Sequence, residues 1–137
     1  MSQQDERKIK VLLAQFPLET HSRGMFTVAH MLRDAGMEVV LLGNATPQQI
    51  VSAAADEDVD VVGISNYCGG HLLLGGDIIN EAKQKGIRER MAFLMGGVLP
   101  PADIPRLKEL GFDAVFEPGA TREEISSCIR ELTKSKG

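Results

Sequence analysis

Short apolar runs alternate along this chain with longer stretches in which apolar and polar residues mix at helical spacing. The runs from Ile9 to Ala14, Glu38 to Leu42, Val59 to Ser65, Ala92 to Met95 and Ala114 to Phe116 read as strands, short and apolar as strands covered on both faces by helices are. Between them Gly24 to Leu32 has the pattern of a helix. Other helix starts are marked by Thr46-Pro47-Gln48-Gln49 and Thr121-Arg122-Glu123-Glu124, and Gly36, Gly86 and Gly111 each follow a helical run. The pattern predicts five strands alternating with five helices.

Strict alternation of this kind predicts an α/β fold, an open doubly wound parallel sheet with helices on both faces. With five strands the expected arrangement is flavodoxin-like, a Rossmann-like sheet of order 2-1-3-4-5. Ligands of such sheets bind beyond the carboxyl ends of the strands, where the strand order reverses, here between the first and third strands. Those ends are the loops Gln15 to Ser22 and Ser65 to His71, and Gly96-Gly97-Val98-Leu99-Pro100-Pro101 opens on the same edge.

A chain of 137 residues is expected to form a single domain over positions 1–137, with Met1 to Arg7 as a polar N-terminal tail. At this size about two-thirds of the unfolded surface is buried on folding, so neither disulfides nor a structural metal is required. A net charge of −4 gives no basic footprint for nucleic acid. No apolar run approaches the roughly 18 residues of a membrane span, and the N-terminus is charged where a signal peptide is apolar, which places the expected location in the cytoplasm. Cys68 and Cys128 are too few and too far apart for a zinc site, and read as small buried hydrophobes.

The first loop holds a carboxylate, an imidazole and a glycine in the run Glu19-Thr20-His21-Ser22-Arg23-Gly24. Its length and Pro17 predict that it projects beyond the sheet edge. A neutral imidazole ligates a metal through one nitrogen, and a carboxylate accepting the other ring N–H fixes the tautomer. Glu19 is placed to be that carboxylate; the same two residues also read as a solvated surface pair. In the second loop Ser65 offers a hydroxyl, and Gly69 and Gly70 let backbone approach a ligand. His71 reads as a polar helix-start residue, not a catalytic base. The chain has no Gly-x-Gly-x-x-Gly after the first strand and no Gly-Lys-Ser/Thr loop, which argues against dinucleotides and nucleoside triphosphates.

Together the three loops resemble the B12-binding domain of adenosylcobalamin-dependent mutases, above all the separate small subunit of acyl-CoA mutases. That family carries Asp-x-His-x-x-Gly after the first strand, Ser-x-Leu after the third and Gly-Gly after the fourth. Here the motifs stand as Glu19-x-His21-x-x-Gly24, Ser65-x-Tyr67 and Gly96-Gly97, and the similarity runs from about Lys8 to Leu132, including Pro118-Gly119-Ala120-Thr121.

The resemblance implies that His21 is the lower axial ligand of cobalt, displacing the cofactor's own dimethylbenzimidazole. It implies that the displaced nucleotide tail enters a deep pocket beside the sheet, with Ser65 near the benzimidazole and Gly96-Gly97 leaving room for the tail. Gly24 would let the first helix begin close to that tail. Ser22, Arg23, Gly69, Gly70, Tyr67, Pro118 and Gly119 join Glu19 in the implied cofactor-binding set. The implied cofactor is adenosylcobalamin, the implied reaction a radical carbon-skeleton isomerisation. The implied partner is a larger TIM-barrel subunit that binds the acyl-CoA, in a hetero-oligomer whose small subunit is inactive alone.

Two residues depart from the family pattern. Glu19 replaces Asp, lengthening the side chain by about 1.5 Å, and Tyr67 replaces Leu, putting a ring and a hydroxyl at the pocket mouth. Other readings are a corrinoid carrier of methyl groups or a B12-sensing module without catalysis. Such carriers usually have a helical bundle before this domain, whereas here the first strand begins almost at once. A phosphorelay receiver would need an acidic cluster after the first strand and an Asp where Ser65 stands.

Overall fold

The computed structural model describes residues 8–17, 19, 22–66 and 70–136. Strands β1 (Lys10–Gln15), β2 (Glu38–Asn44), β3 (Val61–Asn66), β4 (Ala92–Gly97) and β5 (Ala114–Phe116) alternate with helices α1 (Arg23–Asp34), α2 (Pro47–Glu57), α3 (His71–Gln84), α4 (Ile104–Leu110) and α5 (Arg122–Lys136). All pairings are parallel, in the order β2-β1-β3-β4-β5, so the flavodoxin-like expectation holds. A 3-10 turn at Pro101–Asp103 precedes α4 and has no counterpart in the sequence reading.

Both predicted helix starts are capping boxes. The Thr46 hydroxyl accepts from the Gln49 N–H and the Gln49 side chain accepts from the Thr46 N–H. Thr121 and Glu124 exchange the same pair of bonds. Each box satisfies two backbone donors that a helix start otherwise leaves open.

Strand boundaries differ from the expectation chiefly at the carboxyl ends. β2 continues to Asn44 where Leu42 is predicted, β4 to Gly97 where Met95 is predicted, and β1 and β3 end on Gln15 and Asn66. Ladder bonds use the backbone, so pairing persists past the last apolar residue: Gln15 pairs with Asn44 and Ser65, and Asn66 with Gly97. Val59 is left outside β3 because its N–H closes α2 on the Ala54 carbonyl, after Asp58 turns the chain through a left-handed conformation.

Two cores flank the sheet. One joins it to α2, α3 and α4 through side chains such as Ile50, Ile78, Phe93 and Leu107, each without exposed surface. The other joins it to α1 and α5 through Met25, Ala29, Leu32, Ile125 and Ile129. This second face contains the cavity.

Candidate functional site

A cavity of about 540 Å³ lies between the sheet and the helices α1 and α5, within the roughly 300–1,000 Å³ usual for small-molecule sites. Most of its wall is apolar: Val11 and Leu13 from β1, Val28 and Met31 from α1, Ile125 and Ile129 from α5. Five glycines, Gly24, Gly63, Gly96, Gly97 and Gly119, contribute backbone where side chains would otherwise take up space. The polar groups on this wall are few: the hydroxyls of Ser65 and Thr27, and the charges of Arg23 and Glu117. A largely apolar ligand segment is what such a wall accommodates.

The position is the one topology predicts. Ser65 pairs with Gln15 on one side and with Gly96 on the other, so the cavity reaches the carboxyl edge where β1, β3 and β4 end together. The narrowest packing is at Gly97, with φ near 137°, where a Cβ would lie 1.9 Å from the Asn66 carbonyl oxygen. Only glycine fits there.

The loop after β1 is anchored at both ends among its described residues. The Ser22 hydroxyl donates to Gln15 Oε1 at 3.1 Å. Asn44 Nδ2 donates to the carbonyls of Glu19 at 2.7 Å and Phe16 at 3.0 Å, with Pro17 at the outer limit of 3.5 Å. Phe16 and Glu19 are buried, so this part of the loop folds back onto the sheet edge where the sequence reading had it project. The Glu19 carboxylate is therefore not on a solvated surface.

On the opposite side of the same edge, His71 opens α3 and is buried, with Nε2 2.7 Å from Asp103 Oδ2. A carboxylate only accepts, so Nε2 carries the proton. Nδ1 is buried without a partner. The pair ties the loop after β3 to the loop after β4, and His71 is the helix-start residue that the sequence reading made it.

Of the expected site residues, Arg23, Gly24, Ser65, Gly96, Gly97, Pro118 and Gly119 all line the cavity. Glu19, Ser22 and Gly70 do not: the first two hold the β1 loop, and Gly70 caps α3 in a left-handed conformation. His21, Tyr67, Cys68 and Gly69 lie outside the described residues. Cys128 is half-buried, not fully buried as expected, because α5 turns it only partly toward the sheet; burial, aided by Asp113, pushes its thiol up. Sequence reasoning missed Asn44, Phe116 and Glu117. An apolar cavity wall has the same helical spacing as a filled core, so periodicity gives no signal for it.

Comparison with known proteins agrees with this geometry. Residues 9–126 match the family model of the B12 binding domain. The chain is 36% identical over 134 residues to the 2-hydroxyisobutanoyl-CoA mutase small subunit of Aquincola tertiaricarbonis, covering 97% of this chain and 98% of that one. It is 39% identical over 127 residues to the pivalyl-CoA mutase small subunit of Xanthobacter autotrophicus, covering 92% and 84%. In fold it is similar to a cobalamin-binding protein from Desulfitobacterium hafniense DCB-2, with a TM-score of 0.79 at 20% identity, over 92% of this chain and 60% of the other. A matching family model over most of the chain, with its motif glycines and serine gathered on one cavity, makes this protein a member of the B12-binding domain family.

Proposed function

We propose that this chain is the cobalamin-binding small subunit of an adenosylcobalamin-dependent acyl-CoA mutase. One observation carries the reading: the described members of three motifs far apart in sequence, Gly24, Ser65 and Gly96-Gly97, converge on a single apolar cavity at the switch point of the sheet. The residues present fit the group. The cavity accepts the nucleotide tail, Ser65 offers it a hydrogen bond, and His21 stands between two anchored residues, Glu19 and Ser22, in a loop on the same edge.

In this role His21 would hold the cobalt through an imidazole nitrogen, and Glu19 would accept the other ring N–H, holding the tautomer. When bound, adenosylcobalamin supplies a cobalt–carbon bond weak enough to start radical isomerisation. The chain itself would bind and orient the cofactor and keep water from the part held in the cavity.

A larger barrel subunit binding the acyl-CoA completes the enzyme in this reading. The large hydrophobics most exposed among the described residues support it: Phe26 and Leu73 in the first turns of α1 and α3, Val98 just after β4, and Leu42 near the end of β2. All four sit toward the carboxyl edge, the edge onto which the cavity opens. The test is reconstitution. Mixed with the large subunit, this chain should restore adenosylcobalamin-dependent isomerisation of an acyl-CoA, and neither component should do so alone. Methyl transfer to a methyltransferase partner in place of isomerisation would give the carrier reading instead.

A further inference from the structure

Asn44 comes to the histidine loop by way of an irregularity in β2. Pairing with β1 runs in step from Lys10↔Glu38 to Leu13↔Leu41, then skips Leu42 so that Ala14 faces Gly43 and Gln15 faces Asn44. Gly43 takes φ near 85°, a conformation that side-chain-bearing residues rarely adopt. Bulges of this kind re-aim a side chain and are common beside functional sites. Without the skip, Asn44 would sit one position out of step with Gln15, and its side chain would project from the other face of the strand.

The amide then does two things at once. Its two N–H groups serve the Glu19 carbonyl at 2.7 Å and the Phe16 carbonyl at 3.0 Å, on either side of the turn that the Glu19 N–H closes on Phe16. The loop contributes only acceptors here, so an aspartate of the same shape, which has no donors when ionised, could not satisfy them. Two positions after Glu19 stands His21, and Ser22 is held in turn by Gln15, the residue that Asn44 faces in the ladder.

We propose that Asn44 is the positioning residue of the axial-ligand loop: through Phe16 and Glu19 it fixes the segment that carries His21, and thereby sets how firmly histidine ligates cobalt. The inference rests on the reading of His21 as that ligand, and makes β2, a strand that contributes nothing to the cavity wall, part of the cofactor site. A loop held in its binding conformation only part of the time binds more weakly in proportion, so loosening it lowers affinity without touching the ligand.

Asn44→Asp tests this, because it keeps the shape and replaces both donors with acceptors facing carbonyl oxygens. In the cofactor-free full chain, hydrogen exchange at the Glu19 amide should speed up about tenfold, while amides of β1 such as Leu12 keep their protection. Titrated with adenosylcobalamin, the variant should bind about tenfold more weakly, with the histidine-ligated absorption spectrum lost or reduced at saturation. Asn44→Ala, which removes the donors and adds no charge, should shift both readouts in the same direction by about threefold. Since Asn44 is exposed at the end of an edge strand, both variants should fold. Parent-like exchange at Glu19 in both variants would overturn the proposal whatever the cofactor does. His21→Ala runs alongside: if it leaves the parent's spectrum unchanged, the reading of His21 fails, and the exchange data still decide the role of Asn44.

Discussion

The two edges of the sheet are built on opposite plans. At the amino edge, charged side chains close the strands onto one another. Asp60 accepts the Lys10 N–H and Asp113 the Phe93 N–H, both at 2.9 Å, and each returns its own N–H to the same residue's carbonyl. Arg88 and Lys136 flank Asp113, Arg88 also donates to the Gly111 carbonyl, and its guanidinium lies over the Phe93 ring at 5.7 Å. Lys10 reaches Glu57 at 3.0 Å, and that hydrogen bond pushes its ammonium group up. At the carboxyl edge β1, β2 and β3 end instead on neutral amides, Gln15, Asn44 and Asn66, and β4 on Gly97. Of those amides, Gln15 and Asn44 hold the β1 loop. One edge is sealed by charge, and the other is held open by glycine and hydrogen bonds around a cavity.

Substitutions at the two edges should therefore differ in whether binding falls along with stability. The largest effect belongs to Gly97→Ala. A Cβ there meets the Asn66 carbonyl, and φ near 137° is forbidden to alanine, so a loss of about 3 kcal/mol or more is expected, together with loss of adenosylcobalamin binding. Urea unfolding and a cofactor titration measure the two. Asp113→Ala breaks the amino edge: it takes the shared carboxylate from Arg88 and Lys136 and the acceptor from the Phe93 N–H, and should cost about 2–3 kcal/mol. Cofactor affinity should stay within about twofold, and a large drop would mean that the edges are coupled.

Smaller effects sharpen the contrast. The Cys128 thiol is raised by burial and then by the charge of Asp113, so at pH 8 iodoacetamide should alkylate it more slowly in the folded than in the unfolded chain. Because the folded value is the higher one, its contribution to stability is present below the unfolded thiol's pKa and is lost as pH rises through the folded one. Asp113→Ala should speed that alkylation. Arg90→Ala removes an ion pair with Asp58 whose side chains are 51% and 78% exposed, and should change stability by less than about 0.5 kcal/mol in the same unfolding assay.

The amino acid pattern carried the topology because each strand announces itself by an apolar run and each helix by local caps such as Thr46 with Gln49. Motif residues after the first, third and fourth strands were legible too, and Ser65, Gly24 and Gly96-Gly97 do meet at one cavity. What stayed hidden depends on register or on distance. Asn44 acts only because Leu42 is skipped in the ladder, a shift that no window of sequence reveals. His71 finds Asp103 across 32 residues, a partnership of tertiary structure alone. Polar strand ends such as Gln15 and Asn66 also escape an apolar pattern while their backbones continue the sheet.

In the proposed function the open edge binds cobalamin through His21. Its most direct test is the absorption spectrum of the full chain titrated with adenosylcobalamin, beside the same titration of His21→Ala. The parent should hold a base-off cofactor with histidine on cobalt, and the variant should lose that ligation. Identical spectra for the two proteins would contradict it.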